Sequence, residues 1–337
     1  MPTPIHKIDS RTTLGCLLLC TGLVSVHAHA GDAEADFERR ATQPGVIRAV
    51  SFDSAADVSM QVFPDGSFET AGSGWDTTTR ASGAGSLRFV IKSRSPAGSA
   101  GAWRINASDP PFPVKFGPGD EFYVQWRQRF SRALLETAFQ GSGGFKQLII
   151  GEADTFGYPE ARSCSEPEIV VQNVNQRGFA QLYHSCGVFR PLEQPHGSMD
   201  FKLQNGLPEP LCLYSTQSDR SRCLRYVADE WMTFQVRVKL GPRGTGTSSL
   251  EGPQVTGFTD STVQMWAARA GAPSVLIHDW PGLVLRETAG ALYGKFWLLP
   301  YQTGKDPSQD HPEARTWYDE LIISRERIPD PQAPQRK

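Results

Sequence analysis

Glu121–Phe130 reads EFYVQWRQRF. Phe122, Val124, Trp126 and Phe130 fall on one side of an extended chain, and Tyr123, Gln125, Arg127 and Arg129 on the other. Strict alternation of this kind predicts a strand with one buried face. The same signature recurs at Ser86–Lys92 (SLRFVIK), Phe145–Ile150, Glu168–Val174, Gly178–His184, Trp231–Leu240, Thr262–Ala268, Lys295–Tyr301 and Trp317–Ser324. Helical periodicity is confined to Ser131–Phe139 (SRALLETAF), which places a serine at the N-cap. Many strands, few helices and connections drawn from 32 Gly and 25 Pro predict an all-β fold, a β-sandwich or jelly roll of two antiparallel sheets.

Outward from that strand the chain divides simply. Lys7 and Arg11 precede an apolar run from Leu14 to Val26, and Ala28-His29-Ala30 carries small residues at a signal-peptidase spacing. Residues 1–30 therefore read as a secretory signal peptide, too short in its apolar part to span a bilayer. A lipoprotein reading through Cys20 is weaker, because Leu17-Leu18-Leu19 lacks the small residue expected before a lipidated cysteine. Residues 31–50 are polar and charged and are expected to be mobile, with a short helix around Ala33–Arg40. One domain is expected over residues 51–327, because strand patterns continue on both sides of the insertions at 186–230 and 241–261. The end, residues 328–337, with PDPQAPQRK from Pro329, is expected to be disordered. The 337 residues carry a net charge of −2, and loss of Lys7, Asp9 and Arg11 with the signal leaves −3. No basic field favours nucleic acid or an anionic membrane. A secreted or periplasmic monomer is the expectation.

Cysteine usage agrees with export. Cys16 and Cys20 leave with the signal, and Cys164, Cys186, Cys212 and Cys223 remain. Four cysteines allow three pairings. Cys164–Cys186 and Cys212–Cys223 are favoured, since each closes a short loop beside strand-like sequence. The spacings lack the C-x-x-C knuckle of a zinc site.

Three strands could carry chemistry. Gln125, Arg127 and Arg129 share a face, and guanidinium groups bind carboxylates bidentately; the alternative is a charged outer face with local ion pairs. Glu152-Ala153-Asp154 after KQLIIG invites comparison with laminarinase-like glycoside hydrolases, whose paired carboxylates alternate on one strand. The positions that should hold the second glutamate are Phe156 and Gly157, so that match fails. Lys295, Trp297, Leu299 and Tyr301 share a face of the late strand. A stacking indole with a cation and a phenol suits a sugar ring; the alternative is that Trp297 belongs to the core.

The order of these strands (YVQWRQRF, KQLIIG, a late strand ending in Tyr-Gln, then WYDELII) resembles the concanavalin A-like jelly rolls. Within that superfamily it is most similar to polysaccharide lyases of the alginate-lyase and heparin-lyase type, over roughly residues 85–325. The resemblance implies that Arg127 meets substrate carboxylate, Gln147 supplies the amide of a Gln-Ile-His strand, and Tyr301 acts as base and acid. Ile149 stands where that strand has its histidine, and the Lys295-to-Tyr301 spacing is six rather than four. His184 is the candidate replacement imidazole, with a structural role as its alternative, and Asn173 is a further neutral donor. Lys295 and Lys305, with Arg127, are candidates to favour tyrosinate. The implied reaction is β-elimination on a uronic acid. Charge on the C5 carboxylate is neutralised, a base takes the adjacent proton, and an acid protonates the leaving oxygen. It requires no metal or cofactor. The competing function is a non-catalytic carbohydrate-binding jelly roll that uses the same groove.

Overall fold

The computed structural model describes residues 30–59, 73–106, 114–141, 144–152, 165–171, 178–186, 199–202, 204–207, 223–248, 252–286, 290–302 and 304–332. They form two antiparallel sheets packed face to face, a β-sandwich of jelly-roll type.

The large sheet holds β1 (Val46–Val50), β2 (Gly74–Asp76), β3 (Ser86–Ile91), β5 (Glu121–Phe130), β10 (Trp231–Lys239), β11 (Arg243–Ser248), β12 (Gly252–Ala268), β13 (Val275–Arg286) and β15 (Ala314–Ser324). The small sheet runs β4 (Trp103–Asn106), β14 (Tyr293–Leu298), β6 (Phe145–Glu152), β7 (Ser165–Val171), β8 (Ala180–Cys186) and β9 (Met199–Lys202) in that spatial order. β5 lies in the middle of the large sheet, between β10 and β15. Phe122, Val124, Trp126 and Phe130 enter the core between the sheets, as their alternation requires. Trp126 stacks on Phe234 at 5.4 Å, and Phe130 meets Tyr226 at 4.4 Å.

Three expectations need correction. Residues 31–50, expected mobile apart from a short helix around Ala33–Arg40, belong to a longer helix, α1 (Ala30–Ala41), and to strand β1 paired with β15. The polar composition of α1 hides a buried side made of Asp36, Phe37 and Arg40, which sits on the outer face of the large sheet. The tail is ordered as far as Gln332. Ile328 is buried, its N–H donates to Gln235 Oε1 at 2.8 Å, and its carbonyl accepts from Gln235 Nε2 at 3.0 Å. The helix after β5, α3 (Arg132–Glu136), is shorter than expected: Ser131 caps it, Thr137 is already extended, and Phe139 turns inward against the His311 ring. A further five-residue helix, α2 (Ala55–Ser59), precedes β2. The 241–261 insertion is the β11–β12 hairpin. It requires glycine at 241, where a Cβ would fall 1.6 Å from the Thr259 carbonyl oxygen.

β2 is tied to β15 through one carboxylate. Asp76 accepts from Trp317 Nε1 at 2.8 Å, Thr78 Oγ1 at 2.6 Å and Thr78 N at 2.8 Å, with Arg88 at 3.1 Å. Burial by itself raises the Asp76 carboxyl, but these hydrogen bonds and the Arg88 charge outweigh it and hold the pKa at about 2. A carboxyl depressed in the folded state adds stability above its unfolded value of 3.8, and that stability is lost as pH falls towards about 2. Thermal melts in steps of pH should therefore show wild type above Asp76→Asn at neutral pH, with the gap closing between about pH 4 and pH 2. A gap that stays constant through that window would remove Asp76 from the acid response.

Candidate functional site

The late strand, β14, ends at Leu298, short of the expected Tyr301, and its alternate residues separate as the sequence predicts. Phe296 and Leu298 enter the main core, while Trp297 and Leu299 join Ala102 and Ile149 in a separate cluster on the outer face of the small sheet. Trp297 is thus not part of the inter-sheet core. Lys295 Nζ lies 4.7 Å from the Trp297 ring centroid, and the guanidinium carbon of Arg104 lies 5.6 Å from it. Both are cation–π distances. Lys146 Nζ lies 5.6 Å from the Tyr301 ring, and the Lys146 N–H donates to the Tyr301 carbonyl at 3.0 Å. In the backbone register Arg104, Trp297, Ile149, Glu168, Tyr183 and Phe201 stand opposite one another on successive strands. Arg104, Lys295 and Trp297 are enclosed, whereas Tyr301 is 37% exposed and marks where the face meets solvent.

Arg104 escaped the sequence reading. Its strand is only WRIN, four residues long, and its alignment with Trp297 depends on pairing between β4 and β14, nearly two hundred residues apart in sequence. The available signal was an arginine between Trp103 and Ile105, both of which are core residues.

The arginine strand does not join this site. Gln125, Arg127 and Arg129 lie on the outer face of the large sheet, so Arg127 and Tyr301 face away from each other across the whole sandwich. Their partners are internal. Arg127 Nη1 pairs with Glu320 Oε1 at 3.3 Å. Gln125 accepts from Arg40 at 2.7 Å and donates to the Pro329 carbonyl at 3.0 Å. Arg129 sits 3.9 Å from Asp229 with its guanidinium carbon 5.9 Å from the Trp317 ring. The charged-face alternative is the one realised.

Gln147 also points elsewhere. A bulge between Lys146 and Leu148 turns it into the core, where it donates to Gln128 Oε1 at 2.8 Å and accepts from the Tyr226 hydroxyl at 2.6 Å. Burial pushes the Tyr226 phenol well above its ordinary range, so this hydroxyl is a fixed donor. Lys305 is spent on structure, donating from Nζ to the Ser95 carbonyl at 2.5 Å; burial lowers its pKa. The backbone of His184 pairs with Pro167 and Asp200. Asn173, Cys164, Cys212 and Asp154 lie outside the described residues, and Cys186 is described as a strand position opposite Ser165. Cys223 is buried against Phe179.

A surface cleft of about 490 Å³ is lined by Arg132, Leu135, Glu136, Arg225 and Tyr226 among others. It lies at the end of the sandwich beside α3 and is not part of the Trp297 face. Among the described residues no helix is long and apolar enough to cross a membrane.

No family model matches the chain, and no curated protein matches it. Solved structures do resemble it. An endo-β-1,4-glucuronan lyase from the fungus Trichoderma reesei is 12% identical, with 79% of this chain and 92% of that chain covered and a TM-score of 0.46. An alginate lyase from Aplysia kurodai is 12% identical, covering 82% and 98%, with a TM-score of 0.44. The cellulose-induced protein Cip1 is 14% identical, covering 77% and 87%, with a TM-score of 0.41. Likeness of this degree transfers neither activity nor site residues. Polysaccharide lyases of the alginate-lyase type are nonetheless among the structural neighbours of this chain.

Proposed function

We propose that the protein is an exported polysaccharide lyase that cleaves an anionic, uronic-acid-containing glycan by β-elimination on the outer face of the small sheet. One observation carries this reading. Three cations, Arg104, Lys146 and Lys295, share that face with Trp297 and Tyr301. Cations beside aromatic rings match a polymer whose every unit offers a carboxylate and an apolar ring face. Arg104 takes the carboxylate-binding role that the resemblance gave to Arg127. Its charge stabilises the electron density that gathers on the carboxylate as the C5 proton leaves. Tyr301, at the solvent edge, is the group proposed to take that proton. The electron pair of the broken C5–H bond then forms the C4–C5 double bond, the C4–O bond breaks, and Tyr301 returns the proton it took to the departing oxygen. The export reading is supported by the apolar run before Ala30 and by Cys223, which is not a free thiol. The pairings Cys164–Cys186 and Cys212–Cys223 belong to the same proposal.

A second reading, a non-catalytic carbohydrate-binding jelly roll, is favoured by Ile149. It puts an aliphatic side chain beside Trp297, where a lyase would place a base. The experiment that separates them is a screen of purified protein against alginate, pectate, polyglucuronate and glycosaminoglycans, following ultraviolet absorbance of the unsaturated product. The expected result is product from at least one uronan. Binding with no product across the panel would decide for the second reading.

A further inference from the structure

Seven glutamines are buried among the described residues. Five of them, Gln125, Gln128, Gln147, Gln204 and Gln235, have their amides hydrogen-bonded. Gln181 and Gln302 do not: in each, both Oε1 and Nε2 are buried and without a partner. Buried polar groups are nearly always satisfied, so each exception calls for a cause. Gln302 bridges to Phe145 and has the parity of the core residue Leu298, so it does not face the glycan surface. Gln181 stands between the core residues Ala180 and Leu182 on β8, which turns it to the outer face of the small sheet.

Register locates it further. Gln181 is opposite Val170, Val170 is opposite Lys146, and Lys146 bonds to the backbone of Tyr301. Gln181 therefore shares a row with Lys146 and Tyr301, three strand spacings from Tyr301, or about 14 Å. That is farther than one sugar ring extends.

We propose that Gln181 is a subsite residue that binds vicinal hydroxyls of a sugar unit distant from the one at Tyr301. The chemistry selects hydroxyls over carboxylate. An amide offers a donor and an acceptor side by side, and a diol satisfies both, whereas a carboxylate only accepts and leaves Oε1 unmet. The inference rests on the reading of this face as the glycan site, and gives it a minimum length of bound chain.

The test uses the full mature protein and two variants, Gln181→Leu and Gln181→Met, which remove both polar atoms at similar volume. Probes are alginate, polyglucuronate and neutral hydroxyethyl cellulose, together with uronate disaccharides. At least one variant should melt at or above wild type, because two unmet polar atoms are gone. Its affinity for the recognised polymer should fall about tenfold, the scale of a lost hydrogen-bond pair, while disaccharide binding stays unchanged. Wild-type affinity for polymer in a folded variant overturns the inference and leaves the proposed lyase intact. Wild-type protein that yields no unsaturated product, yet binds polymer through Gln181, removes the lyase and keeps the subsite. Two variants that both melt far below wild type make the amide structural and overturn the inference. Wild-type protein that binds none of the probes overturns both.

Discussion

Arg40→Ala should destabilise the protein by about 3–5 kcal/mol, the usual cost of removing one partner of a buried ion pair. Arg40 is fully buried on α1 and holds three partners at once: Asp36 at 2.9 Å, Gln125 at 2.7 Å and the Glu320 carboxylate. Without it, Glu320, itself 1% exposed, keeps only Arg127 at 3.3 Å among these contacts. The neighbouring acid worsens the balance. Burial, together with the Glu320 charge, already pushes the Asp319 carboxyl well above its ordinary range. Denaturant titration reads the loss, and limited proteolysis reads its location. A helix of twelve residues is marginal by itself in water, so α1 should be cut first. Arg40→Met combined with Glu320→Gln removes both charges and should recover part of the loss, since the penalty lies in the stranded carboxylate. A single variant within about 1 kcal/mol of wild type would show that the pair is solvated.

The same contacts explain what the sequence could and could not disclose. The bounds of β5 and its core face follow from alternation alone, because period two is a local property. Which outer face becomes a binding surface is not local. Arg127 finds its counter-ion 193 positions later at Glu320, and Gln125 is taken up by Arg40, 85 positions earlier. Arg40 lies in a segment whose polar composition reads as a mobile arm, and Glu320 reaches Arg127 only through the pairing of β15 with β5. The face of β14 is legible for the opposite reason, since Lys295 and Trp297 are spaced by two within that strand and Leu299 and Tyr301 continue the spacing beyond its end at Leu298. Gln147 faces the core because of a single residue: the bulge between Lys146 and Leu148 shifts parity by one, which moves a side chain from one face to the other. Nothing in KQLIIG marks that bulge. Arg104 and Gln181 acquire meaning only through cross-strand register, which links residues by pairing rather than by spacing.

Under the lyase reading, Tyr301→Phe should lower kcat by roughly 10²–10⁴-fold, the usual contribution of a general acid–base group, and leave polymer binding nearly unchanged. The substitution removes one hydroxyl and keeps the ring that Lys146 faces. It therefore separates proton transfer from stacking and from the local cation contact. Arg104 should behave differently. A guanidinium on a carboxylate acts in the ground state as well as the transition state, so Arg104→Lys should damage KM and kcat together. Lysine preserves the charge over Trp297 but loses the planar fork. Arg127→Lys is the control that decides between the two arginines: it can still pair with Glu320 within the large sheet, so turnover should match wild type. If Arg127→Lys abolishes turnover while Arg104→Lys does not, the reaction belongs to the large sheet. Equal losses of binding and rate in Tyr301→Phe would make Tyr301 a contact residue and move the base elsewhere on the face. Tyr183, in register with Ile149 through Glu168, is then the position to test, because its row crosses Trp297 where a sugar ring would stack.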